Sequence, residues 1–195
     1  MTTIGIVCSL IVTGYVIYIA KPMPGSGFFP WHPSLMSAAI LGLLTFGISS
    51  ISKKSKAPYD QKVLIHFACN MWAAILICGG FYAIYAYKEN QGYHHYVTTH
   101  GQLGLVVASL LVVQSMASTP LLFQHAVAKV IGGKNLKLFK MIHRYFSTVT
   151  YIMAMAEIIL GFYTKWFSSH VSELEWNIFA ALTAITLVTV ILQVR

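Results

Sequence analysis

Long apolar runs alternate with short polar ones along the whole chain, and six of the runs are long enough to cross a bilayer. About 20 predominantly apolar residues in a helix cover the hydrocarbon core. The pattern predicts spans at Ile4 to Ala20, His32 to Ile51, Lys62 to Tyr87, Val97 to Ala117, Met141 to Phe167 and Leu174 to Arg195. The breaks have recognisable chemistry. Lys21-Pro22-Met23-Pro24-Gly25-Ser26-Gly27 is a turn and not a helix, whereas Pro33 is tolerated in the first turn of the second span. Ser52 to Gln61 is polar and lysine-bearing, and Lys88 to Tyr96 is polar and aromatic. Ser118 to Lys140, with Gly132-Gly133 inside it, is the longest connection. There is no internal repeat.

Composition agrees with the pattern. The 195 residues are 57% hydrophobic and 9% charged, and the mean hydropathy is +0.69. These values lie outside the soluble globular range and predict an all-α membrane protein, a single membrane domain over residues 1–195. The formal charge of +8 is not a nucleic-acid signal, because the basic residues sit between spans and do not alternate with aromatics on a solvated face. Cys8, Cys69 and Cys78 fall inside spans, an odd number that argues against a disulfide framework, and small apolar packing is their expected role. The first span lacks a basic leader region and a small-residue cleavage site, so it is expected to be a retained helix.

Charge also orients the chain. With both termini on one side, that side carries Lys53, Lys54, Lys56, Lys62, Lys129, Lys134, Lys137, Lys140, Arg144 and Arg195, against Lys21, Lys88 and Lys165 on the other. The positive-inside rule then makes both termini cytoplasmic. Phe28, Phe29, Trp31, Tyr93, Tyr96 and Trp166 lie near span ends, as in an interfacial aromatic belt.

Four histidines open four successive spans: His32, His66, His100 and His143. Orientation sorts them by depth into two pairs, His32 with His100 near the outer face and His66 with His143 near the cytoplasmic face. Two opposed neutral imidazoles, each from a different helix, suit the axial positions of a six-coordinate haem iron. Two such layers lie roughly 20 Å apart if each sits about a turn inside a core about 30 Å thick. Zinc fits less well, since it takes a compact set of His, Cys or carboxylate ligands. Other readings stay open on the residues alone: a transporter whose histidines carry a metal ion or protons, a quinol-linked haem b subunit, or a scaffold with interfacial histidines. Glu157 is the one acid well inside a span. It lies about 21 Å along the helix from His143, towards the outer layer, with packing as its expected role and an influence on the outer haem potential as the alternative. Met36 lies a turn from His32 but is not needed as a ligand. His125 and His170 are expected in loops.

The stretches Trp31-His32-Pro33-Ser34-Leu35-Met36, Lys62-Val63-Leu64-Ile65-His66, His95-Tyr96-Val97-Thr98-Thr99-His100-Gly101-Gln102-Leu103-Gly104 and Leu136-Lys137-Leu138-Phe139-Lys140-Met141-Ile142-His143 resemble the cytochrome b561 family, in particular its small members without extra soluble domains. The resemblance covers essentially the whole chain. It implies six helices, a central four-helix bundle of spans 2–5, and two haem b groups, one between His32 and His100 and one between His66 and His143. It further implies electron transfer from cytoplasmic ascorbate to monodehydroascorbate or ferric iron on the lumenal or extracellular side. Two positions depart from the pattern: Ser147 stands where relatives often carry glycine, and Asn70 where they carry glutamine. Neither removes a ligand.

Ascorbate is an anion, so cations beside the cytoplasmic pair are its expected partners. Lys62 lies one turn before His66, and Lys140 and Arg144 flank His143. On the outer side His95 resembles a histidine near the family's second substrate site, with His94 and Tyr93 as helpers. Expected partners are therefore the lipid bilayer, ascorbate, and monodehydroascorbate or a ferric chelate, with a homodimer as the candidate assembly and no nucleic acid. An endoplasmic-reticulum, vesicle or endosomal membrane is favoured over the plasma membrane.

Overall fold

The computed structural model describes residues 2–52 and 57–194. Lys53, Lys54, Lys56 and Arg195, four of the cations used to orient the chain, lie outside the described residues. Six helical spans are long and apolar enough to cross a membrane among the residues described. Span 1 is α1 (Thr2–Ala20). Span 2 is composite: α2 (Trp31–Ser37), a π-helical segment (Ala38–Leu44) and α3 (Thr45–Ser50). Spans 3 and 4 are α4 (Tyr59–Gln91) and α5 (Thr99–Ala117), span 5 is α7 (Gly133–Phe162), and span 6 is α9 (Glu173–Val194). A 3₁₀ turn (Thr119–Phe123) and α6 (Gln124–Ile131) follow α5, and the four-residue α8 (Lys165–Ser168) follows α7.

Local chemistry explains where the spans begin and end. Helix α4 starts after the extended Pro58, with Asp60 in its first turn, where a carboxylate suits the helix dipole. It ends at Gly92, whose φ of 67° is left-handed, with Tyr93 N donating to the Lys88 carbonyl at 2.9 Å. A glycine closes a helix this way at no steric cost. Thr98 caps α5 by accepting from Gly101 N at 3.1 Å. Ser172 and Glu175 bond reciprocally at the start of α9, a capping box.

Spans 2–5 form the expected four-helix core. Span 2 packs along α4, α4 along α5, α5 along α7, and α7 touches the π segment. Helices α1 and α9 pack on each other and lie against span 2 and α7, joined by Tyr15 Oη donating to Glu175 Oε1 at 2.9 Å. The buried centre includes Leu41, Ile77, Val107, Tyr151 and Met155, while Leu64, Trp72, Ile75 and Tyr82 point outward, as lipid-facing residues do.

Several boundaries differ from the sequence expectation. The fifth span begins at Gly133, two turns before Met141, and ends at Phe162. Much of the expected connection from Ser118 to Lys140 is helical: it holds the 3₁₀ turn, α6 and the first two turns of α7. His125 accordingly sits on α6 and not in a loop, although it is exposed. Cys8 is buried, but Cys78 is exposed on the outer face of α4, so its side chain does not fill the core.

Candidate functional site

The four span-opening histidines meet in two pairs. His32 (α2) and His100 (α5) have ring centroids 6.3 Å apart with planes at 73°. His66 (α4) and His143 (α7) have centroids 6.2 Å apart with planes at 83°. Each pair joins helices on opposite sides of the four-helix core.

A haem iron between each pair provides a test of fit. Two imidazole nitrogens each about 2 Å from one metal ion put their ring centroids about 6 Å apart, close to both observed separations. The other ring nitrogens are also occupied as a ligating histidine requires. His32 Nδ1 lies 2.9 Å from the Gly80 carbonyl and His66 Nδ1 lies 3.0 Å from the Gly47 carbonyl. A carbonyl only accepts, so Nδ1 carries the proton in His32, and Nε2 is left with the lone pair a metal binds. At His66 Nδ1 the Gly47 carbonyl is nearer than the Asn70 amide nitrogen at 3.3 Å and favours the same tautomer. His143 Nδ1 lies 3.5 Å from Ser147 Oγ. Among the described residues no three His, Cys, Asp or Glu side chains converge on one point, and a porphyrin iron needs only the two.

Close helix approach makes the carbonyl contacts possible. A Cβ on Gly47 would sit 2.8 Å from Cys69 Cβ, and a Cβ on Gly80 would sit 3.2 Å from Met36 Cγ. The missing side chains let span 2 and α4 approach closely, each helix supplying the carbonyl for the other's histidine. Sequence reasoning missed both acceptors. The Gly79-Gly80 pair inside an apolar span was the available signal, since small residues mark close packing of membrane helices.

Two cavities lie at the pairs. The larger, about 330 Å³, is lined by His32, His100, Phe29, Lys88, His95 and Glu157, among others. The smaller, about 70 Å³, holds His66, His143, Asn70, Gln114 and Ser147. Leu111 lines both and partitions them. Asn70, the departure noted in α4, donates to the His66 carbonyl at 2.6 Å. Ser147 accepts from Gln114 Nε2 at 2.5 Å, so both departures sit at the smaller cavity as polar neighbours of a histidine.

The predicted substrate residues divide by end. His95 Nε2 lies 2.8 Å from Glu89 Oε1, and its ring stacks on Tyr85 with centroids 4.5 Å apart. It lines the larger cavity together with Lys88, a cation the sequence reading did not select. Lys88 Nζ also donates to the His94 carbonyl at 3.3 Å, and Tyr93 packs edge-on against Tyr87. At the other end Lys62 donates to the Ser52 carbonyl at 3.3 Å and Lys140 to Gln124. Arg144 is exposed. These three cations stand near the His66–His143 pair in sequence but outside the lining of its cavity.

An all-helical membrane core with two facing histidine pairs is an arrangement that fits a transmembrane b-type cytochrome. Residues 31–168 match the eukaryotic cytochrome b561 family, and the chain belongs to it. As a member it is a transmembrane oxidoreductase that binds haem b. Among curated proteins it is similar to transmembrane reductase CYB561D2 of Homo sapiens, 27% identical over 99% of this chain and 87% of that protein, and to the Mus musculus protein of the same name, 28% identical over the same shares. It is also similar to the probable transmembrane reductase CYB561D1 of Homo sapiens, 25% identical over 91% of this chain and 78% of that protein.

Proposed function

We propose that this chain is a dihaem reductase that carries electrons from cytoplasmic ascorbate to monodehydroascorbate or ferric iron across the membrane. The observation that supports it best is the pair of near-equal histidine separations, 6.3 and 6.2 Å, at opposite ends of one helical core. His32 with His100, and His66 with His143, are the residues that would hold haem b. Haem b held there would supply reversible one-electron iron chemistry.

The chain's residues do the rest. Gly80 and Gly47 fix the ring planes and protonation of His32 and His66 through their carbonyls. Apolar side chains around Leu111 keep water out of the space between the two layers. Lys62, Lys140 and Arg144 draw the ascorbate anion to the cytoplasmic end, where it gives up one electron and one proton and leaves as monodehydroascorbate. At the other end Lys88 and His95 receive the acceptor. A ferric chelate leaves as ferrous, or monodehydroascorbate takes one electron and one proton and leaves as ascorbate. Both termini are cytoplasmic on this reading. Among the described residues that end carries Lys62, Lys129, Lys134, Lys137, Lys140 and Arg144, against Lys21, Lys88 and Lys165 opposite.

Purified protein in liposomes loaded with ferric chelate, mixed rapidly with external ascorbate, tests the proposal. Two haem b per chain and ascorbate-dependent ferrous iron inside the liposomes are expected. A colourless, correctly folded protein defeats it.

A further inference from the structure

Three of the four proposed ligand rings have neutral partners at Nδ1: the Gly80 carbonyl, the Gly47 carbonyl and the Ser147 hydroxyl. The fourth does not. His100 Nδ1 lies 2.6 Å from Glu157 Oε1, and Glu157 is 6% exposed. The contact is at hydrogen-bond distance, off the ideal N–H axis, and among the described residues no other donor reaches either carboxyl oxygen. An acid buried in a membrane core is costly and is retained where it works on a partner. Here the partner within reach is the His100 ring.

The packing around Glu157 is shaped for this contact. Gly104 lies one turn after His100 on α5, and a Cβ there would sit 2.9 Å from Glu157 Oε1. The absent side chain is the space through which the carboxyl crosses from α7 to α5. Next on α7, Gly161 faces His100 Cε1, 3.6 Å from where its own Cβ would be. Filling the core would not require an acid at position 157, nor a bare backbone opposite it.

We propose that Glu157 is a positioning residue that accepts the His100 Nδ1 proton in a hydrogen bond and lowers the reduction potential of the haem held by His32 and His100. The inference rests on reading that pair as haem ligands. A carboxyl acceptor on a ligating imidazole raises the ligand's basicity, which favours the ferric state, and an acid close to a buried metal acts in the same direction. The other pair has only carbonyl and hydroxyl acceptors, so the two centres differ by construction. The centre at the His32–His100 end becomes the stronger reductant, the useful sense if electrons leave there for an acceptor that is hard to reduce.

Spectroelectrochemical titration of haem-loaded wild type, E157Q and G104A tests this, with the component missing from H32A identifying the His32–His100 centre. E157Q keeps shape and removes the acid. The expected result is about a tenfold shift towards the reduced form of that centre at fixed applied potential, the lower end of second-shell effects, or about 59 mV for a one-electron couple. The other centre stays in place. In G104A the new methyl pushes the carboxyl off the ring, so a smaller shift of the same sign is expected. The double variant should add nothing to E157Q, since both act on one contact. A change confined to one ferric low-spin paramagnetic resonance signal is expected alongside. Two bound haems with unmoved midpoints in E157Q, or equal shifts of both, overturn the inference and leave the proposed function standing. A wild-type protein without haem overturns both.

Discussion

His66 and Gly80 lie fourteen residues apart on α4, and they serve different histidine pairs: the His66 ring faces His143, while the Gly80 carbonyl holds His32. The interval recurs. On α7, His143 and Glu157 are fourteen apart; on α5, His100 and Gln114 are fourteen apart, and Gln114 reaches Ser147 beside His143. Fourteen residues are two heptads, which return to the same face of a left-handed bundle. Span 2 breaks the rule, since His32 and Gly47 are fifteen apart. The π-helical segment Ala38–Leu44 lies between them, and such a bulge absorbs about one extra residue per turn. It keeps both ends of the span in register with the other three.

A deletion series checks this. Removing Gly42 from the π segment should restore an ordinary α-helix with fourteen-residue spacing and leave both haems bound. Removing Ala73, midway between His66 and Gly80 in uninterrupted α4, should rotate one end by about 100° and lose one haem. Haem per chain, measured on purified variants, separates the two. Loss of a haem from the Gly42 deletion would sink the register argument.

Much of this arrangement was legible in the sequence because the proposed ligands are side chains and their spacing follows the membrane. Four histidines at span entrances, sorted by charge asymmetry, gave the pairs that the fold brings to 6.3 and 6.2 Å. The acceptors behind them were harder to read. Gly47 and Gly80 act through backbone carbonyls, and a carbonyl has no residue signature. Glu157 was placed near the right layer by its distance along α7. Its contact with His100 also needed Gly104 on another helix, which a linear pattern does not reveal. The early start of α7 was hidden because lysines between Gly133 and Lys140 resemble a loop, yet Leu136 among them is buried.

Gly47 offers a direct check on the helix contact behind His66. In G47A the new Cβ would stand 2.8 Å from Cys69 Cβ, both of them stiffly attached, so α3 and α4 must separate. Overpacking of this kind costs about 1–3 kcal/mol. The Gly47 carbonyl would also move away from His66 Nδ1. Thermal stability and the haem at the His66–His143 pair should both fall, and C69G should restore them by clearing the space. G80A meets its neighbours at 3.2 Å or more and should be milder. Equal losses in G47A and G47A/C69G would count against the contact.

Single-ligand variants separate the two ends functionally. H66A or H143A should lose the cytoplasmic haem and rapid reduction by ascorbate. H32A or H100A should keep the fast phase and lose the slower one that follows transfer across the core. Stopped-flow spectra in detergent report both phases. Unchanged haem content in all four variants would refute the ligand assignment.

The acceptor end depends on how His95 is held. Its Nε2 is 2.8 Å from Glu89 Oε1 and its ring stacks on Tyr85, so the loop after α4 presents one face of His95 to the cavity it shares with Lys88. Replacing Lys88 by alanine removes a charge at the entrance. A lost steering charge slows capture of an anionic acceptor by about tenfold at low ionic strength and by less at high salt. H95A should slow electron exit at both ionic strengths, because it removes a contact and not a long-range field. E89A should act like a weaker H95A by releasing the ring. In all three variants reduction by ascorbate from the other end should proceed at the wild-type rate, since the His66–His143 pair is untouched. Stopped-flow reoxidation of ascorbate-reduced protein by ferric chelate, run at two salt concentrations, reads all of these outcomes. A salt-independent effect of K88A, or an unaltered exit rate in H95A, would show that the acceptor does not enter through this cavity.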